Sequence, residues 1–308
     1  MKISLRLLRY VVAAADNSNV TEAARQLKVS QPSVSAAIAE LESILGIAIF
    51  MRHHAKGVTL TPAGQRLVHD ARLLLKHADD FTRAAEALGE TIRGEISVGC
   101  FKTLAARFMP ALMMDFAREY PDINVGLEEG DQDQILSAIS EGRAELGLAY
   151  DFGVPSHIKA DFVMDLPPQV TLASGHRLAG KSRITLKDLA NEPFILCDLP
   201  HFSEYFLNLF AIEGLSPNIV FRCKSLELIR GLVARGHGYS LHTVVPETYV
   251  TYDGGNLVVK PLGDKFPPAR VVILTAKSHP VRPAVAVFAE YVQQFFAREA
   301  REHAALSA

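Results

Sequence analysis

Cysteine is scarce in this chain, and long apolar stretches are missing altogether. Three cysteines occur among 308 residues, Cys100, Cys197 and Cys223. They are an odd number, widely spaced, with no Cys-x-x-Cys, which excludes a disulfide framework or a structural zinc site and implies reduced thiols. No apolar run approaches the roughly 18 residues that a membrane span requires, and the N-terminus lacks a signal-peptide layout. A cytoplasmic protein without a membrane partner is expected. There is no low-complexity tract and no tail of one charge, so disorder is not expected. Motifs of catalysis are missing too: no GxSxG, no HExxH, and no GxGxxG after a strand. No catalytic residue, metal or cofactor is assigned, and an enzyme converting a small molecule is the alternative of another class.

The length of 308 residues suits two domains, or a small domain with a larger two-lobed one. The formal net charge is −2, but it is unevenly spread. The first sixty residues carry seven Lys or Arg against four Asp or Glu, so the rest of the chain is acidic. A basic head on an acidic body suits a phosphate-rich partner.

Within the head, Leu5, Leu8, Val11, Val12 and Ala15 recur at helical spacing and predict a helix over 4–15. Asn19, followed three positions later by Glu22, is an N-cap for a second helix ending near Leu27. After the turn Lys28-Val29, Ser30 caps a third helix running to about Leu45, with Pro32 tolerated in its first turn and Gly46 ending it. Two short helices around a tight turn have the layout of a DNA-binding helix-turn-helix. Ser30, Gln31, Ser33 and Ser35 put hydroxyls and an amide at the helix end that reaches base edges and phosphates. Val34, Ile38, Leu41, Ile44 and Leu45 lie on the opposite, core face. Strands are expected at 47–50 and 58–60, with the loop 52–57 a wing that sets Arg52 and Lys56 beside the DNA backbone. His53 and His54 are adjacent, point apart and have no third ligand nearby, so they are not read as a metal site.

Thr61 and Pro62 open the next helix, and no strong breaker follows until Gly89 and Gly94, giving about thirty residues and roughly 45 Å of rod. Leu67, Leu74, Phe81 and Leu88 repeat every seven residues, with Ala71, Ala78 and Ala85 four residues behind. This is a heptad seam, which needs a second helix. A homodimer would present two recognition helices to two half-sites. The alternative is that the stripe packs on the chain's own C-terminal part.

Beyond Gly94, short strands alternate with helices: strands at 95–100, 123–128 and 145–150, with helices at 107–120 and 132–141. This βαβαβ run predicts a parallel sheet. A second run has strands at 169–173, 194–198, 219–224 and 239–242 with helices near 186–190, 204–212 and 226–235. Strands at 257–261 and 270–276 and a helix at 283–303 complete the chain. Ligands in such sheets bind beyond the carboxyl ends of the strands. That rule selects Phe101, Lys102 and Thr103, then Tyr150 and Phe152, then His201, Phe202 and Ser203, the last as a helix cap.

From Leu5 to Gly64 the sequence, including TEAARQLKVSQPSVSAAIAELESILGIAIF and VTLTPAG, resembles the DNA-binding domain of LysR-type transcriptional regulators. The Ala-Ala of the second helix, Ser-Gln-Pro-x-x-Ser, Leu-Glu-x-x-Leu-Gly, Ile49-Phe50 and Leu60, Thr61 and Gly64 all fall at the family's spacing. The resemblance implies an α/β protein with a winged helix-turn-helix (1–60), a dimerising linker helix (61–92) and a two-lobed, periplasmic-binding-protein-like effector domain (93–308). Lobe 1 would be 93–163 with 266–308, and lobe 2 would be 164–265. Its DNA contacts would be Thr21, Gln31, Pro32, Ser33 and Ser35, with Arg52 and Lys56 in the wing. Two positions depart: Ala36 stands where the family often has Arg or Lys, and Met51 where an acid is common. Thr103 falls where the family uses Ser or Thr to hold an effector's anionic group. The turn Gly236-His237-Gly238 matches as well, but His242-Thr243 replaces the usual residues, so His242 joins the effector set. Implied partners are double-stranded promoter DNA, an organic-acid or aromatic effector, further copies in a homodimer or homotetramer, and RNA polymerase. A redox-sensing version of the same architecture, using Cys100 or Cys197, is the nearer alternative.

Overall fold

The computed structural model describes residues 3–53, 57–87, 92–263, 265–277 and 280–306, and the side chains of 52, 53, 80, 83–87 and 302–306 lie outside that description. Three capped helices open the chain. Ser4 accepts from Leu7 N at the start of α1 (Leu5–Asn17). Asn19 Oδ1 accepts from the amides of Thr21 and Glu22, at 2.8 and 3.2 Å, at the start of α2 (Val20–Gln26). Lys28, at φ +54, turns the chain into α3 (Gln31–Leu45), which Ser30 caps and Gly46 ends at φ +68. Leu8, Val11, Ala23, Ala24, Val34, Ile38 and Leu41 close the core between them.

The wing is a hairpin of β1 (Phe50–His53) and β2 (Gly57–Leu60). The first strand thus begins where 47–50 was expected to end. Ile49 is fully buried, and the amides of Ile49 and Phe50 donate to Glu42 Oε1 at 2.7 and 3.2 Å. These bonds commit residues 47–49 to turning the corner under α3, and Arg52 falls in the strand rather than in the loop.

α4 (Pro62–Ala87) follows; at 1.5 Å per residue its 26 residues reach about 39 Å. Thr61 Oγ1 accepts from Gly64 N at 2.9 Å, and Thr61 N donates to Ile49 O at 3.0 Å. Helix and wing meet so closely that a Cβ on Gly64 would lie 2.1 Å from Ile49 O.

The C-terminal part has two lobes. In lobe 1 a five-stranded sheet is ordered β4-β3-β5-β12-β6, from β3 (Gly94–Phe101), β4 (Ile123–Gly130), β5 (Leu146–Tyr150), β6 (Ile158–Leu166) and β12 (Ala269–Ala276). β3 is parallel to β4 and β5, while β12 runs antiparallel between β5 and β6. Helices α5 (Lys102–Glu119), α6 (Gln132–Ser140) and α10 (Pro283–Leu306) flank it. α5 starts five residues before the expected 107, because no breaker separates Phe101 from the helix. β6 was not anticipated; it is an edge strand whose one apolar run, Phe162-Val163-Met164, is short and leaves Phe162 exposed. It keeps the chain in lobe 1 as far as Leu166, so the crossing falls at Pro167 and Pro168.

Lobe 2 holds β7 (Gln169–Ala173), β8 (Pro193–Cys197), β9 (Asn218–Cys223), β10 (Ser240–His242) and β11 (Leu257–Pro261), with α7 (Leu186–Leu189), α8 (Phe202–Ile212) and α9 (Leu226–Ala234). The group β10-β7-β11 joins the pair β8-β9 through a bridge between Phe194 and Tyr239. Gly238, at φ +149, makes that junction possible: a Cβ there would sit 2.2 Å from Pro193 O.

Candidate nucleic-acid interface and effector cleft

At the head, Ser30, Gln31, Pro32, Ser33 and Thr21 are exposed, and Ser35 is half-buried. Ser30 and Ser33 share a hydroxyl contact of 2.7 Å, and Gln31 Nε2 donates to Ser35 Oγ at 2.9 Å. The polar tip of α3 is therefore held by short-range pairs while its hydroxyls and amide stay at the surface. Val34 and Leu41 on the other face are fully buried, so the tip is held by the core. Of the two wing cations, Arg52 has its backbone in β1, and its side chain lies beyond the described ones, as Lys56 does entirely.

α4 divides its surface between two neighbours. Val68 and Ala71 are buried in the core of the head, with Leu67 packed against it. Ala71 thus serves the chain's own fold. Leu74 and Phe81 are exposed, at 48% and 76%, and Ala78 is half-buried. Ala85's side chain and all of Leu88 are outside the described set. The polar side of α4 rests on lobe 1. Arg72 bonds Asp16 and the carbonyl of Glu141. Lys76 Nζ donates to Glu145 Oε2 at 2.9 Å and to Ser97 Oγ at 3.0 Å. Arg282 Nε donates to Glu145 Oε1 at 2.6 Å, and both of these side chains are almost fully buried. Burial alone would raise the Glu145 carboxyl's pKa, but hydrogen bonds and charge from Arg282 and Lys76 outweigh it and hold the pKa below the usual range. Both expectations for the helix therefore have a surface: an exposed apolar pair, and a polar face docked in cis.

Between the lobes, the residues selected from the strand ends converge. Phe101 lies 5.0 Å from the Tyr150 ring and 5.4 Å from that of Phe202. Tyr150 stacks on Phe152 at 5.4 Å, and Phe152 on Tyr205 at 5.4 Å. Such pairs contribute roughly 0.5–1.5 kcal/mol each beyond their area. The Tyr150 hydroxyl meets Thr243 Oγ1 at 2.8 Å, tying lobe 1 to the end of β10. Burial pushes the Tyr150 phenol far above its ordinary pKa, the nearby hydroxyls of Thr243 and Thr103 partly opposing it. Thr103, in the first turn of α5, is buried; its hydroxyl is near enough to be felt by Tyr150 but makes no hydrogen bond of normal geometry among the described residues. First-turn amides have no intrahelical partner, so this corner favours an anionic oxygen. Lys102 beside it is exposed.

At the mouth, His201 Nε2 reaches Asp133 Oδ1 of lobe 1 at 3.0 Å. His201, at φ +60, starts α8, so Ser203 is a buried residue of its first turn and not the cap. His242 is displaced from the cleft. Successive side chains at the end of β10 point to opposite sides; since Thr243 takes the side of Tyr150, His242 turns into lobe 2 and lines a cavity of about 10 Å³ with Arg230 and Thr171. Of the pair His242-Thr243 singled out from the sequence, it is Thr243 that meets Tyr150. Sequence reasoning missed Tyr205 and Gln132; the latter, fully buried, donates to the carbonyls of Tyr150 and Phe152 at 2.7 and 2.8 Å. The only signal for Gln132 was a polar residue next to the cap Asp131 beyond a strand end.

Comparison with known proteins bears on both sites. Residues 5–65 match the model of the bacterial regulatory helix-turn-helix protein, lysR family, and residues 89–297 match the LysR substrate binding domain. The chain belongs to the LysR family of transcriptional regulators. It is 29% identical over 295 residues to the HTH-type transcriptional regulator YnfL of Escherichia coli (strain K12), covering 94% of this chain and 97% of that protein. It is 28% identical over 240 residues to the hydrogen peroxide-inducible genes activator of Pectobacterium carotovorum, covering 78% and 79%. Among solved structures, HinK of Pseudomonas aeruginosa shares 33% identity at a TM-score of 0.66, over 95% of this chain and 98% of that one. As a LysR-type regulator the protein joins a DNA-binding head to an effector-binding domain. Among the described residues no helix is long and apolar enough to cross a membrane.

Proposed function

We propose that this LysR-type regulator grips two half-sites of a promoter through the α3 tips of a two-fold pair, and that a small anionic, aromatic-compatible effector in the inter-lobe cleft sets the outcome. The observation that carries the effector part is the buried, unsatisfied Thr103 hydroxyl at the start of an 18-residue helix, facing a wall of aromatic rings. Leu74 and Phe81 of α4 supply the pairing surface, higher assembly to a tetramer follows the family's habit, and RNA polymerase is the further partner on the promoter. Burial of Cys100 and Cys197 raises both thiols, the latter up to about 12, so neither is favoured as a thiol that meets an oxidant first.

Thermal-shift screening of the full chain with small organic acids and aromatics identifies the effector. Thr103→Val then removes its stabilising shift while operator binding stays. Joint loss of both means that Thr103 is structural and refutes the assignment. Gln31→Ala and Ser33→Ala each weaken operator binding by about 1–3 kcal/mol if they read bases. Unchanged operator affinity in both variants sinks the α3 assignment.

A further inference from the structure

β8 and β9 are parallel neighbours, and in their register Cys197 is the partner of Cys223. Parallel strands lie about 4.8 Å apart and register partners share a face; that separation is inside the roughly 4.4–6.8 Å span of Cα atoms in disulfides. The two thiols also sense each other: Cys223 contributes to raising Cys197, after burial. Their exposures differ. Cys197 is 1% exposed, while Cys223, the last residue of β9, is half-exposed, its thiol 3.6 Å from the carbonyl of Ser225. Among the described residues β9 has one strand neighbour, so its end is the less constrained side for the approach of about 1 Å that a disulfide's Cβ atoms demand.

We infer that Cys197 and Cys223 form a reversible oxidation site, in which a hydroperoxide converts the two thiols of the β8-β9 strand ends into one intrachain disulfide. Cys223 sulfur takes the terminal oxygen of the peroxide: an S–O bond forms, the O–O bond breaks, and water or an alcohol leaves. Cys197 sulfur then displaces that oxygen: the S–S bond forms, the S–O bond breaks, and the Cys197 proton departs with the hydroxide as water. Two thiols are oxidised and one peroxide is reduced. Burial keeps Cys197 protonated, so it does not compete with the half-exposed Cys223 for the peroxide. Cys100, buried on β3 of the other lobe, takes no part. The bond would pin the strand end from which Asp198 leads to His201 and Phe202 of the cleft; its formation is a matter of lobe 2 alone and does not depend on which effector the cleft takes.

The full chain is treated with hydrogen peroxide, blocked with an alkylating agent, and digested without reductant. Expected are a fall from three titratable thiols to one, a cross-linked peptide pair carrying Cys197 and Cys223, and recovery of three on adding dithiothreitol. C223S and C197S should each abolish the cross-link, and C100S should leave it. Because C223S alters a half-exposed strand end, it keeps the test valid if C197S fails to fold. Three thiols surviving peroxide, a cross-link that includes Cys100 or joins two chains, or over-oxidation of Cys223 with Cys197 still free would each overturn the proposal.

Discussion

Acid should weaken this protein through one histidine. His242 is 4% exposed, its Nε2 has no hydrogen-bond partner among the described residues, and it shares a water-sized cavity with Arg230, itself buried and paired with Glu227. Burial, and then the Arg230 charge, pull its pKa down to about 3 from 6.5. The folded chain keeps the ring neutral across that window, while the unfolded chain binds a proton as soon as the pH falls below 6.5. Stability from this site is therefore complete above about pH 6.5 and is progressively lost as the pH falls toward 3. At about 1.4 kcal/mol per pH unit, the loss between pH 7 and pH 5 is about 2 kcal/mol. For a domain of this size that corresponds to a drop in Tm of about 4–8 °C. His242→Leu removes the proton site and keeps the position apolar. The chain has ten other histidines, so the quantity to read is the pH slope of wild-type unfolding minus that of the variant, from urea titrations at pH 5, 6 and 7. Identical slopes would mean that the ring protonates in the folded state, and the burial argument fails.

Three further outcomes follow from the geometry. Leu74→Asp with Phe81→Asp places charge on the exposed stripe of α4 and should shift the chain toward monomer by at least tenfold in dissociation constant, measured by analytical ultracentrifugation; an unmoved equilibrium would assign the pairing elsewhere. Lys76→Met leaves Glu145 with Arg282 and the Ser97 amide and should reduce the effect of effector on operator affinity by about 0.5–2 kcal/mol, seen by titrating operator with and without effector; full retention of that effect excludes the polar dock as a coupling element. Gly64→Ala drives a methyl to 2.1 Å from Ile49 O, and backbone cannot yield there cheaply, so the head should lose about 3 kcal/mol or more and operator binding should fall with it. Normal binding by Gly64→Ala would mean that the wing and α4 are less tightly seated.

The head was legible because its signals are local. Asn19, Ser30 and Gly46 each announce a helix boundary within one turn of chain, and the structure uses all three as caps. Thr103, Tyr150 and Phe202 were legible through topology, since a strand's carboxyl end is where parallel sheets open. What escaped depended on partners distant in sequence. β6 has only the short apolar run Phe162-Val163-Met164, too brief to announce a nine-residue strand, and β12 pairs with it from Ile158 to Leu166. His242 and Thr243 are neighbours whose opposite facing decides which one meets Tyr150, 93 residues away. The heptad row likewise could not reveal that Ala71 is claimed by the head, because the same spacing serves either neighbour.

β5 is only five residues long, every one of them buried, and it leads from Glu145 to Tyr150. About 16 Å of extended chain thus lies between the carboxylate that anchors the linker helix and the ring that plugs the cleft. β3 pairs with it from Leu146 to Leu148 and β12 from Gly147 to Tyr150, so every residue of it has a strand neighbour. On the proposed function, a molecule that shoulders Tyr150 aside would push on one end of this short segment, whose other end adjoins Glu145, the carboxylate that holds Lys76 of α4.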